Sequence, residues 1–122
     1  WRKNVVTAYI RPQRYTKEFM DSNDLFTISF LPEEYRKAMS LCGSFSGREV
    51  GDKWKLSGLH PHYVDGTTGV EEADMIFVCK KLYAQEMKSE CFIDVDCDTT
   101  CYPDKDYHTM YIAEIVKVLK KN

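Results

Sequence analysis

The apolar positions of this chain fall into short runs rather than long helical stripes. Val5-Val6-Thr7-Ala8-Tyr9-Ile10 and Leu25-Phe26-Thr27-Ile28-Ser29-Phe30 are rich in β-branched and aromatic residues and are bounded by turn formers. Both read as strands, over 4–10 and 25–30. A longer strand is expected from Glu72 to Gln85, bent near its middle. The last, from His108 to Val118, divides Met110, Ile112, Ile115 and Val116 between two faces. A slip in that alternation near Ala113-Glu114 predicts a bulge.

Two helical signals interrupt the strands. From Glu33 to about Leu41, Tyr35, Ala38, Met39 and Cys42 recur three and four apart, which predicts one buried helical face. Pro32 suits its first turn, Glu33 and Glu34 suit the N-terminal dipole, and Cys42-Gly43 ends it. Thr16, ahead of Lys17-Glu18-Phe19-Met20, reads as the N-cap of a shorter helix. All six glycines lie between Gly43 and Gly69, so residues 43–71 are expected to be long binding loops. Strands with a few short helices and crossing loops predict a mainly β, antiparallel barrel or sandwich of Greek-key type.

Length and composition narrow this further. The 122 residues suit one domain with its own core. Hydrophobic residues at 43% and charged residues at 30% are ordinary for a globular protein. Seventeen basic against nineteen acidic residues leave −2, which points to neither a nucleic acid nor an acidic membrane surface. The longest apolar run is far short of the roughly 20 residues a membrane helix needs. No signal peptide is apparent, and Trp1-Arg2-Lys3-Asn4 leads straight into a strand, which suggests a missing upstream segment.

Five cysteines are an odd number, so a closed disulfide framework would leave one thiol over. Free thiols are the expectation, and with them a cytoplasmic protein. Cys79, inside an apolar strand, reads as a small buried hydrophobe. Cys91, Cys97, Cys101 and His108 are a formal four-ligand zinc set, yet five, three and six residues separate them and the tight C-x-x-C knuckle is missing. No metal site is therefore expected.

Candidate chemistry gathers at Arg11-Pro12-Gln13-Arg14-Tyr15-Thr16. Pro12 stops the first strand, and two guanidinium groups then stand beside the start of a helix. That arrangement suits a phosphate, although two solvated arginines at a strand end are an equal reading. Cys42-Gly43-Ser44-Phe45-Ser46-Gly47-Arg48, followed by Lys53, is a loop whose amides and hydroxyls suit the edge of a planar heterocycle; a helix cap with a serine-rich turn is the plainer reading. His60 and His62 flank Pro61 without a carboxylate fixed by spacing. His108 and Glu114, six apart, share a sheet face if the strand is regular. No nucleophile elbow or paired-carboxylate motif is present. Any difficult chemistry would fall to a bound cofactor.

In order and spacing these segments resemble the flavin reductase-like family, the FMN-binding split barrels, and especially its flavoredoxin-type branch. The resemblance rests on Arg11 to Thr16 with Glu18-Phe19 and Phe26 to Phe30, then Cys42 to Arg48 with Lys53 and Gly58-Leu59. It continues through Glu72-Ala73, the strand end Cys79-Lys80-Lys81-Leu82-Tyr83, and Asp106 to Ile115. It implies a split barrel over 1–122 and a homodimeric, FMN-dependent oxidoreductase passing hydride from NAD(P)H to flavin and on to an electron acceptor. Arg11, Arg14, Tyr15 and Thr16 would hold the phosphate and ribityl end of FMN. Cys42, Gly43, Ser44, Phe45, Ser46, Gly47, Arg48 and Lys53 would line its ring and ribityl side, and His108 would face the open flavin. The family's upstream segment, with the first barrel strands and an Asn-Thr-x-Thr-Ala-Ser-like loop, has no counterpart here. Two alternatives follow: a non-enzymatic FMN-binding electron carrier, or a truncated barrel without flavin.

Overall fold

The computed structural model describes residues 1–44 and 51–121. Its centre is a four-stranded antiparallel sheet with the spatial order β1-β6-β5-β2, joined by a separate β3–β4 hairpin. The strands are β1 (Val5–Ile10), β2 (Leu25–Phe30), β3 (Pro61–Val64), β4 (Thr67–Val70), β5 (Met75–Glu86) and β6 (Thr109–Lys120). The first strand thus pairs with the last, Val5 opposite Glu114 and Ile10 opposite Thr109.

β5 and β6 form the spine. Their register slips between Val78 and Cys79, where Val116 is the extra residue on β6, and between Lys81 and Tyr83, where Leu82 is extra on β5. The bulge expected near Ala113-Glu114 is therefore two devices on either side of that point. Each raises the local twist and curls the sheet. The hairpin then folds onto β2 and β5: Thr27 Oγ1 donates to the Thr68 carbonyl (2.6 Å), and the Val70 amide donates to Ser29 Oγ (3.1 Å). A Cβ at Gly69 would stand 2.9 Å from Ile76 Cδ1 and 3.1 Å from its Cγ2, so a larger residue there would have to push the Ile76 side chain aside. Sheet and hairpin together make a curled half-barrel.

The core lies inside that curl. Val78, Cys79, Tyr111 and Ala113 are fully buried, joined by Ile76, Ala73, Leu59 and Met20. Burial pushes the Cys79 thiol up to about 11, so it stays protonated as a small hydrophobe, as expected. Tyr111 carries a polar tip into this core, and its hydroxyl donates to Asp21 Oδ1 (2.7 Å) on α1 (Thr16–Ser22).

The helices depart from expectation in instructive ways. Thr16 does not cap α1; it is the first helical residue, and Tyr15 before it is already helical with no side-chain cap. A backbone turn starts the helix instead, with the Arg14 amide on the Arg11 carbonyl (3.1 Å) and the Lys17 amide on the Arg14 carbonyl (3.0 Å). The helix expected over Glu33–Leu41 is a 3-10 turn at Glu33–Tyr35 running into α2 (Arg36–Ser44). Its predicted buried face is only partly covered, and Met39 is 40% exposed. Residues 43–71 are more regular than a loop. They hold α3 (Lys53–Ser57), capped by Asp52 at one end and left-handed Gly58 at the other, and the β3–β4 hairpin. A last helix, α4 (Val95–Cys101), is capped by Asp94. Among the described residues no helix is long and apolar enough to cross a membrane.

Candidate functional site

A cleft of about 370 Å³ opens where β1 ends, α1 begins, α2 gives way to α3, and β6 begins. Arg11, Arg14, Thr16, Cys42, Gly43, Lys53 and His108 line it together with Tyr9 and Ile10. The fold therefore brings residues as far apart in the sequence as Tyr9 and His108 into one hollow, and among the described residues no carboxylate lines it. The neighbouring hollow of about 350 Å³, between α1, β2 and the hairpin turn, is lined by uncharged residues alone. Charge singles out the first.

The two arginines that look alike in sequence have different surroundings. Arg11 donates from Nη1 to Asp106 Oδ2 (2.8 Å) and from Nη2 to the Cys101 carbonyl (2.7 Å), while its guanidinium lies 4.7 Å from the Tyr102 ring centroid. It is an ion pair, a backbone bond and a cation–π stack at once. Asp106 also accepts from Gln13 Nε2 (2.6 Å). The Gln13 bond, and then Arg11, hold its carboxyl below the usual carboxylate range despite partial burial. Arg14 is exposed and, among the described residues, donates one bond, from Nη1 to the Gly43 carbonyl (3.3 Å). A guanidinium has five N–H donors, and this uses one.

Lys53 completes the basic wall. Its ammonium donates to the Cys42 carbonyl (2.5 Å). With Arg14 on Gly43, two cations thus meet carbonyls at the C-terminal end of α2, the end where the helix dipole favours positive charge. His108 closes the far side. Its Nδ1 meets the Tyr102 hydroxyl, with the two rings edge-on at 87°. Burial, then the positive charge of Arg11, pushes the imidazole below its ordinary value, with Asp106 opposing. The ring is neutral near pH 7.

The other candidate residues lie elsewhere or beyond description. Tyr15 packs edge-on against Phe19, ring centroids 5.0 Å apart, and is not among the cleft's lining residues. Ser44 turns back on its own helix, its hydroxyl donating to the Ser40 carbonyl (2.7 Å). Phe45, Ser46, Gly47 and Arg48 lie outside the described residues. Glu114 does not join His108; it faces Lys3 at 3.6 Å. His60 and His62 find carboxylates after all, Glu72 and Glu71, each at 2.5 Å, on the hairpin and away from the cleft. Among the described residues no three His, Cys, Asp or Glu side chains form a metal-holding group, so Cys91, Cys97, Cys101 and His108 are not assembled as one.

Sequence reasoning missed Asp106 and Tyr102, which fix Arg11. The partners are 95 and 91 positions away from it, and no spacing in a single chain could have linked them.

Comparison with known proteins places this architecture. Against solved structures, the chain is similar to flavoredoxin from Methanosarcina acetivorans (TM-score 0.75, 18% identity), covering 97% of this chain and 53% of that one. Flavoredoxin of Desulfovibrio vulgaris (Miyazaki F) gives 0.72 and 22%, covering 97% and 54%. The FMN-binding protein of Thermus thermophilus, solved with bound p-hydroxybenzaldehyde, gives 0.71 and 20%, covering 97% and 55%. The chain spans about half the length of these structures, and at such identities the likeness establishes the fold: a flavin reductase-like split barrel. No curated protein matches. The model of one family, the flavin reductase like domain, matches residues 3–122, from before β1 to beyond β6 and across every wall of the cleft, and the chain belongs to that family.

Proposed function

We propose that this chain binds FMN in the cationic cleft and serves an oxidoreductase that takes hydride from NAD(P)H and passes electrons to an acceptor, as a cytoplasmic homodimer. The observation that carries this reading is the convergence of Arg14, Lys53, Thr16 and the pinned Arg11 on one cleft whose lining, among the described residues, has no carboxylate. Its volume is that of an ordinary small-molecule site. The donor chemistry fits a flavin phosphate: a fork and an ammonium for the oxyanions, and a hydroxyl beside them. Gly43 faces open space, where a Cβ would meet nothing within 4 Å.

FMN, when bound, supplies the redox chemistry by accepting and returning electrons. The chain's own residues do the positioning. Arg14 and Lys53 would anchor the phosphate, with Arg11 contributing field from its fixed seat. His108, neutral and tethered to Tyr102, would face the flavin without competing for its charge. Carrying FMN without reacting with a nicotinamide is the second reading, supported by the likeness to two flavoredoxins.

The test is reconstitution followed by reduction. The protein is titrated with FMN, then mixed anaerobically with NADH or NADPH in a stopped-flow instrument. Saturable FMN binding with bleaching of the flavin absorbance supports the oxidoreductase, and binding without bleaching supports the carrier. A protein that takes up no FMN overturns both.

A further inference from the structure

Cysteine is among the most buried residue types, yet three of the five here are exposed within eleven residues: Cys91, Cys97 and Cys101. Two of them, Cys97 and Cys101, stand one turn apart on α4. Residues four apart on a helix have Cα atoms about 6 Å from each other, inside the range a disulfide spans. Their Cβ atoms, roughly 5–6 Å apart in a regular helix, must close by about 1–2 Å. That needs a helix end that yields. α4 is seven residues long and contains Thr99 and Thr100; the Thr99 hydroxyl already bonds back to the Val95 and Asp96 carbonyls (3.3 and 3.4 Å). Its end is irregular, with Tyr102 at φ −130° and ψ 57°.

We propose that Cys97 and Cys101 form a reversible dithiol–disulfide couple whose oxidation reshapes the last turn of α4 and thereby shifts the seat of Arg11. The link is direct. The Cys101 carbonyl accepts from Arg11 Nη2 at 2.7 Å, and Tyr102, the next residue, carries the ring under the guanidinium. With glutathione disulfide as oxidant, one cysteine thiolate attacks a glutathione sulfur and expels the first glutathione thiolate. The second cysteine attacks the mixed disulfide and expels the other. Two protein thiols are oxidised, one glutathione disulfide is reduced to two thiols, and the two protons pass to the leaving thiolates.

The test is equilibration of reduced protein with glutathione disulfide, followed by thiol counting and intact mass. Cys91→Ser loses two thiols and the mass of two hydrogens, and wild type closes the same pair while its unpaired, exposed Cys91 also takes a glutathione adduct. Cys97→Ser and Cys101→Ser instead retain glutathione adducts. The pairing is overturned if Cys91→Ser fails to close, or if Cys97→Ser loses the two hydrogens as readily as wild type. Hydrogen exchange reads the coupling: the Tyr102 amide, held by the Asp98 carbonyl at 2.8 Å, exchanges about tenfold faster in the oxidised protein. Exchange that is unchanged on oxidation overturns the link to α4 and Arg11 while leaving the disulfide itself in place.

Discussion

Replacing Arg14 by alanine separates two jobs that the sequence gives equally to both arginines. Arg14 is exposed and makes a single 3.3 Å bond to Gly43 among the described residues. Its loss should leave stability within about 0.5 kcal/mol of wild type. A guanidinium–phosphate contact is worth about 1.5–3 kcal/mol when well formed. At the open rim of a cleft the lower end applies, about 1.5 kcal/mol, or about tenfold in Kd. Riboflavin, which lacks the phosphate, should bind Arg14→Ala as it binds wild type. Arg11→Ala should behave differently: it removes the partner of Asp106, whose Oδ1 is already buried without a hydrogen bond, and it uncovers the Tyr102 ring. Its Tm should fall, and both flavins should bind more weakly as the cleft wall loosens. The assay is flavin fluorescence titration with each ligand, beside thermal unfolding of each variant. Equal loss of FMN and riboflavin on Arg14→Ala, or unaltered Tm on Arg11→Ala, would refute the division of labour.

Further outcomes follow from the core and the titrating groups. Tyr111→Phe keeps the packing of a fully buried ring but deletes its bond to Asp21, so urea unfolding should show a loss of about 1 kcal/mol. His108 has a folded-state value below its unfolded one, so the unfolded chain binds the proton more readily. Stability is therefore full above the ordinary histidine range and falls as pH drops through about 6.5 toward the lowered value. His108→Gln should flatten that part of the pH–stability curve, and a curve of unaltered slope would contradict it. Cys79, protonated and buried, should be the last thiol to react with an aromatic disulfide reagent under native conditions, well after Cys91, Cys97 and Cys101.

The strands were legible because their apolar runs are long enough to show a period, and β1, β2, β5 and β6 fall where the alternation put them. The hairpin was not, because β3 and β4 are four residues each and sit among glycines. Its signal was Asp65-Gly66, a two-residue turn whose φ values of 51° and 77° only such residues take comfortably. The cleft was legible in its cationic parts, since Arg11, Arg14 and Lys53 each stand at the end of a regular element. What holds Arg11 was not. Asp106 and Tyr102 lie on the far side of the chain from it, and only the pairing of β1 with β6 brings them near. The start of α1 was misread for a local reason: a turn beginning at Arg11 supplies the bonds that a Thr16 cap would have supplied.

That pairing of first strand with last also sets when the site can exist. The walls of the cleft come from residues 9–16, from 42, 43 and 53, and from 108, and the Arg11–Asp106 bond spans 95 positions. Closing so long a loop is slow and is rewarded only once the final strand docks. During synthesis, the early segments must wait with β1 unpaired to β6, and the arginines remain ordinary solvated cations in the meantime. On the proposed reading, ligand capture waits for β6 to dock, so added FMN should slow unfolding far more than it speeds refolding.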